Sequence, residues 1–110
     1  MGITKSDSFS VHQNEVSLLF KALGHPARIA ILEYLMRVDT CMCGDIVSEL
    51  PLAQPTVSQH LKELKNAGII KGSISGNSIC YCIDEGVITK LRDYLDVVQN
   101  AVINQKQNCC

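Results

Sequence analysis

The tightest constraint in this chain is a turn punctuated by two prolines. Pro51-Leu52-Ala53-Gln54-Pro55 separates two short segments that each space apolar residues for a helix. Proline lacks a backbone donor and breaks a helix that runs into it, yet it suits the first turn of a new one. Upstream, from about Cys43 to Leu50, a short helix is expected to bury Ile46, Val47 and Leu50. Downstream, a helix from Pro55 to about Ala67 turns Val57, Leu61 and Leu64 inward, and Gly68 is suited to a left-handed cap. Two short helices around a tight turn, the second with a polar outer face, make a helix-turn-helix pattern.

The flanking sequence completes one small domain. Ser10 and Gln13 have the spacing of a capping box and open a helix to about Ala22, with Val16, Leu19, Phe20 and Leu23 on its apolar side. Gly24-His25-Pro26 breaks it, and a second helix follows from Pro26 to Arg37, carrying Ile29, Ile31, Leu32, Leu35 and Met36. After Gly68, the β-formers at 69–74 and 78–83 flank Ser75-Gly76-Asn77 and read as a hairpin, the wing. Asp84 is placed to cap a last helix from about Gly86 to Asn104. There Leu91, Leu95, Val98 and Val102 form an apolar stripe suited to pairing two copies. The fold class expected is therefore mainly α with a small β-hairpin, a winged helix-turn-helix dimerising through its N- and C-terminal helices. Residues 1–9 are expected to form a flexible tail, 10–104 the winged helix domain, and 105–110 a flexible tail ending in cysteines.

Length and charge agree with that assignment. A chain of 110 residues holds one domain, and 46% hydrophobic with 19% charged residues is the profile of a folded domain. No run approaches the roughly 18 apolar residues of a membrane span, and the first residues lack the apolar core of a signal peptide. A cytoplasmic protein is expected. The net charge of −1 excludes a general nucleic-acid coat. Locally, however, Lys62, Lys65 and Lys71 face only Glu63 in charge, which suffices for phosphate contacts.

Residues that read bases need hydrogen-bonding side chains near the start of the second helix. Gln54, Thr56, Ser58, Gln59 and His60 fill those places, and Lys62, Lys65 and Lys71 suit the backbone. On these residues the chain resembles a known family. Ala22-Leu23-Gly24-His25-Pro26-Ala27-Arg28-Ile29, then Gln54 through Leu64, then Ala67-Gly68-Ile69-Ile70, are similar to the ArsR/SmtB metal-sensing repressors over about residues 15–100. The resemblance implies a DNA-binding homodimer joined by its first and last helices, and no enzyme activity. It also implies arginine in the wing, where this hairpin has only Lys71.

Six cysteines fall in three close pairs: Cys41-Met42-Cys43, Cys80-Tyr81-Cys82 and Cys109-Cys110. None has the CxxC spacing of a zinc ribbon or thioredoxin site. Within the resemblance, Cys41-x-Cys43 is similar to the pair in members that sense arsenite, antimonite, cadmium or lead. Soft As(III), Sb(III), Cd(II) and Pb(II) prefer thiolates. Gly44 stands where an acid is usual, and Ile46 where a third cysteine is usual, so Cys109 and Cys110 are the expected source of the third sulfur. Cys80 and Cys82 share one face of a strand and are expected to pack. The last helix has no histidine, so the family's histidine–carboxylate zinc site is not expected there. An alternative signal on the same fold is oxidation or sulfide acting on the paired cysteines.

Overall fold

The computed structural model describes residues 8–38, 42–43, 46, 50–75 and 78–105. Of the expected tails at 1–9 and 105–110, residues 1–7 and 106–110 lie outside these, as do Cys41, Cys109 and Cys110. Helix α1 spans Val11–Leu23, α2 Pro26–Arg37, α3 Gln54–Asn66 and α4 Glu85–Asn104. Strand β1 is Met42–Cys43, β2 Ile70–Ser75 and β3 Ser78–Ile83. The antiparallel sheet runs β1-β3-β2.

Local chemistry explains the boundaries. Ser10 Oγ accepts from the Gln13 amide while Gln13 Oε1 accepts from the Ser10 amide, the reciprocal capping box. The His25 side chain caps α2 through its Nδ1, which accepts from the Ala27 amide, and Pro26 occupies the first turn. Asp84 caps α4 by accepting from the Val87 amide. Helix α3 ends in a left-handed glycine: Gly68 has φ 83°, its amide donates to Lys65 O, and the Ile69 amide donates to Leu64 O. That reversal delivers Ile69 and Ile70, both almost fully buried, directly into β2.

The core joins all the helices to the base of the wing. Ile31, Val57, Leu64, Ile69 and Ile70 are its most completely buried side chains, with Leu19, Leu35, Leu61 and Leu91 around them. Helix α2 packs on α3, so the reading helix rests on a buried support. Phe20 and Tyr94 meet edge-on, with ring centroids 6.0 Å apart, and hold α1 against α4.

The segment before the turn corrects one expectation. Cys43 does not open a helix; it pairs in β1 with Cys80 of β3. The physical reason is that β3 sits between two partners, and residues 42–43 satisfy the backbone groups of its second edge. Ile46 is buried in the core and Leu50 packs at its margin, as the spacing predicts. The rest of the expected helix lies outside the described residues.

Candidate nucleic-acid interface and thiol site

Helix α3 is divided sharply by burial. Val57, His60, Leu61 and Leu64 are buried, and Gln54, Thr56, Ser58, Gln59, Lys62 and Lys65 are exposed. At 3.6 residues per turn, Ser58, Gln59 and Lys62 lie opposite the buried stripe. Gln59 Nε2 donates to Glu63 Oε2 at 3.0 Å, which holds that amide along the outer face. Lys71, one residue into β2, is also exposed. Seven of the eight residues proposed to contact DNA are therefore on the surface, most of them on one helix.

The eighth is not. His60 is only 9% exposed, and its Nδ1 accepts from Arg28 Nε at 3.1 Å. Its ring lies 4.3 Å, centroid to centroid, from that of His25. The expectation that His60 faces DNA is corrected by helix geometry. Positions 57, 60, 61 and 64 fall on one side of α3, and only three of them are aliphatic. Arg28 in turn donates to Ala22 O at 3.0 Å, tying α1, α2 and α3 together. Burial first, then the charges of His25 and Arg28, lower the pKa of His60 below its ordinary value, against a smaller opposing effect of Glu63. The neutral ring is the form that accepts from Arg28. Sequence spacing carried the signal for this inward position, but the partner 32 residues away was not legible.

On the other side of the turn, the sheet places cysteines together. Cys43 is the register partner of Cys80, and Met42 that of Tyr81. Cys80 is buried, Cys82 is half-buried, and both are disulfide-bonded. The expectation that Cys80 and Cys82 merely pack is thus incomplete, because their sulfurs are covalently engaged. Among the described residues no group of three or more His, Cys, Asp or Glu side chains forms an ion-binding cluster.

The outer surface of α4 is strongly apolar. Leu91 belongs to the chain's own core, whereas Leu95, Val98 and Val102 are 51%, 41% and 46% exposed. Val97 and Ile103 are exposed beside them, as are Val11 and Leu18 on α1. No helix among the described residues is long and apolar enough to cross a membrane.

A polar-faced helix on a buried support, followed at once by a hairpin, defines a winged helix-turn-helix DNA-binding protein. Residues 25–71 match the family model for bacterial regulatory proteins of the arsR family. An HTH-type transcriptional regulator of Methanocaldococcus jannaschii is 43% identical over 81 residues, covering 70% of this chain and 90% of that protein. The repressor SmtB of Mycobacterium tuberculosis is 39% identical over 83 residues, 76% of this chain but only 59% of the relative's length. The arsenical resistance operon repressor of Staphylococcus xylosus is 28% identical over 87 residues, 79% of this chain and 83% of that protein. In structure, an ArsR-like regulator from Rhodococcus shares the fold with a TM-score of 0.69 at 23% identity, over 89% of this chain and 97% of that one. The chain belongs to the ArsR family: it is a transcriptional regulator, not an enzyme.

Proposed function

We propose that this protein is a cytoplasmic homodimeric repressor that leaves its operator when its cysteine thiolates capture a soft metalloid or metal, As(III) foremost. The observation that carries the DNA reading is the exposed row of Ser58, Gln59 and Lys62 opposite a fully docked helix face. Ser58 and Gln59, with Gln54 and Thr56 toward the helix start, reach base edges. Lys62, Lys65 and Lys71 neutralise phosphates. The similarity to an arsenical resistance repressor supports the choice of ion, and thiolates suit it chemically. Sb(III), Cd(II) and Pb(II) are the other inducers of the same softness.

Capture falls to Cys41 and Cys43, with Cys109 and Cys110 as the donors that the sequence nominates to complete the coordination. Cys43 lies in β1, which joins the sheet whose β2 strand continues directly from α3. An ion held there has a short mechanical path to the reading helix. The exposed apolar faces of α4 and α1 support the dimer. The test is a titration of the reduced protein bound to operator DNA with arsenite, antimonite, cadmium, lead and zinc. Arsenite should release the wild type and fail to release Cys43→Ser. Release driven only by an oxidant or sulfide, with arsenite inert, would replace the metalloid reading by thiol oxidation of the same fold.

A further inference from the structure

We propose that the cluster of His25, Arg28 and His60 makes operator binding sensitive to acid, because a proton on His60 breaks its bond to Arg28 and lets α3 leave its reading position. The inference rests on the assignment of α3 to DNA and is independent of the cysteines.

The hydrogen bonds leave no room for a second proton. His60 Nδ1 accepts from Arg28 Nε at 3.1 Å, which assigns the ring's own proton to Nε2. Arg28 keeps its charge at any pH a protein survives, so it stays a donor. A protonated ring would set donor against donor, and positive charge against positive charge, at that distance. His25 adds to the conflict. Its ring is 4.3 Å away, centroid to centroid, and its own Nδ1 accepts from the Ala27 amide. Charge on either ring therefore opposes charge on the other. The groups facing His60 are His25 and Arg28 from α2 and Glu63 from α3 itself. On α1, Lys21 lines the cleft that Arg28 and Glu63 share. Glu63 alone among these four is an acid.

The cluster is placed to act on the reading helix. Arg28 also donates to Ala22 O at 3.0 Å, so the His60 bond ties α3 to α1 and α2 together. Val57, Leu61 and Leu64 stay buried on the same face, so α3 remains packed when the bond is lost, but its angle is no longer fixed. Glu63 accepts from Gln59 Nε2, so the same group of side chains ends on a residue assigned to bases. Base contacts need a set helix angle in the groove, whereas phosphate contacts carry no sequence information. Acid therefore costs specificity first. His60 titrates in the folded chain below the ordinary value of about 6.5. Docking of α3 is thus complete above that value and is lost as pH falls through the folded one.

The experiment uses the full chain in reduced form, a duplex selected from a random pool at pH 7.5, and a scrambled duplex. Fluorescence anisotropy gives both affinities from pH 8 to 5 at constant ionic strength, and circular dichroism follows the fold. Wild type should lose affinity for the selected duplex below pH 6.5, with a limiting slope of about tenfold per pH unit for one proton per protomer. Binding to the scrambled duplex should hold or rise, because added positive charge favours phosphates. His60→Gln keeps an acceptor for Arg28 without titrating, and its affinity ratio between pH 7.5 and 5 should stay near one. His25→Asn keeps a capping side chain and removes a repelling ring, so the loss should begin at higher pH than in wild type. His12→Gln, on α1 beside Tyr94, should follow wild type. If His60→Gln fails to fold, the His25→Asn shift decides, and an unmoved onset there overturns the proposal. So does a flat wild-type profile, a fall that survives in His60→Gln, an equal fall on both duplexes, or a loss of circular dichroism in step with affinity. A pool that yields no preferred duplex would overturn the DNA reading as well.

Discussion

At the residue scale, His60 shows how a polar side chain in a helix-turn-helix can serve the scaffold and not the ligand. Its neutral ring accepts from Arg28, which also donates to α1, so one imidazole fixes three helices at the base of the reading helix. Replacing it with alanine leaves a part-buried guanidinium donor without its acceptor, a loss of about 1–3 kcal/mol that a denaturant titration would read. The pKa direction adds a pH dependence. Because the folded-state value is depressed, the unfolded chain binds the proton more readily. The stabilisation is complete above the ordinary histidine value of about 6.5 and is lost as pH falls from there through the folded value. Melting curves between pH 7.5 and 5 should fall less steeply for His60→Gln, which keeps an acceptor but does not titrate. An equal slope in both proteins would show that His60 is not the sensitive group. Gly68 is a second case: at φ 83°, Gly68→Ala should cost about 1–2 kcal/mol, although its added Cβ would make only ordinary contact with Val87. The glycine was legible from its place after a helix, whereas the Arg28–His60 bond was not, because it joins residues far apart in sequence.

At the scale of elements, the spacing of apolar residues located α1, α2, α3, the hairpin and α4 to within a residue or two. Each is bounded by a local cap or breaker. The short β1 strand escaped the same reading. Two residues carry no period, and Cys43 pairs with β3 only because a distant strand offers a free edge. For α3 the division of labour between faces gives a direct expectation. Ser58→Ala should weaken operator binding by about 1–3 kcal/mol if it removes a base contact, while leaving binding to unrelated duplex nearly unchanged. Lys65→Ala should weaken all duplexes alike and lower the slope of affinity against salt by about one counterion. Fluorescence anisotropy on specific and scrambled duplexes at several salt concentrations separates the two. Loss of discrimination in Lys65→Ala, with Ser58→Ala neutral, would move the reading surface off the face now assigned to it.

At the scale of the whole molecule, the fold leaves its last helix half finished. Helix α4 runs 20 residues, but among its side chains Leu91 alone is fully buried in the chain's own core. Beyond it Leu95, Val98 and Val102 recur at three- and four-residue spacing and remain 41–51% exposed. Water contact at three aliphatic side chains in a row, next to exposed Val97 and Ile103, is costly, and since each is already about half covered, full covering would gain roughly half of the 1.5–3 kcal/mol of complete burial, about 0.7–1.5 kcal/mol each. Helix α1 is joined to α4 through Phe20 and Tyr94 and adds exposed Leu18 nearby, so a second copy could cover both helices at once. Such a pair would carry two α3 helices, and a twofold arrangement fits two half-sites on one face of the duplex. The double variant Leu95→Asp with Val98→Asp places two carboxylates in that seam. It should sediment as a monomer, keep its helical circular dichroism, and lose operator affinity by the several orders of magnitude that separate two-site from one-site contact. Because both positions are solvent-exposed in the single chain, the monomer fold itself should tolerate the change. A double variant that still sediments as a dimer would place the seam elsewhere, and a wild-type monomer that binds operator tightly would remove the need for one.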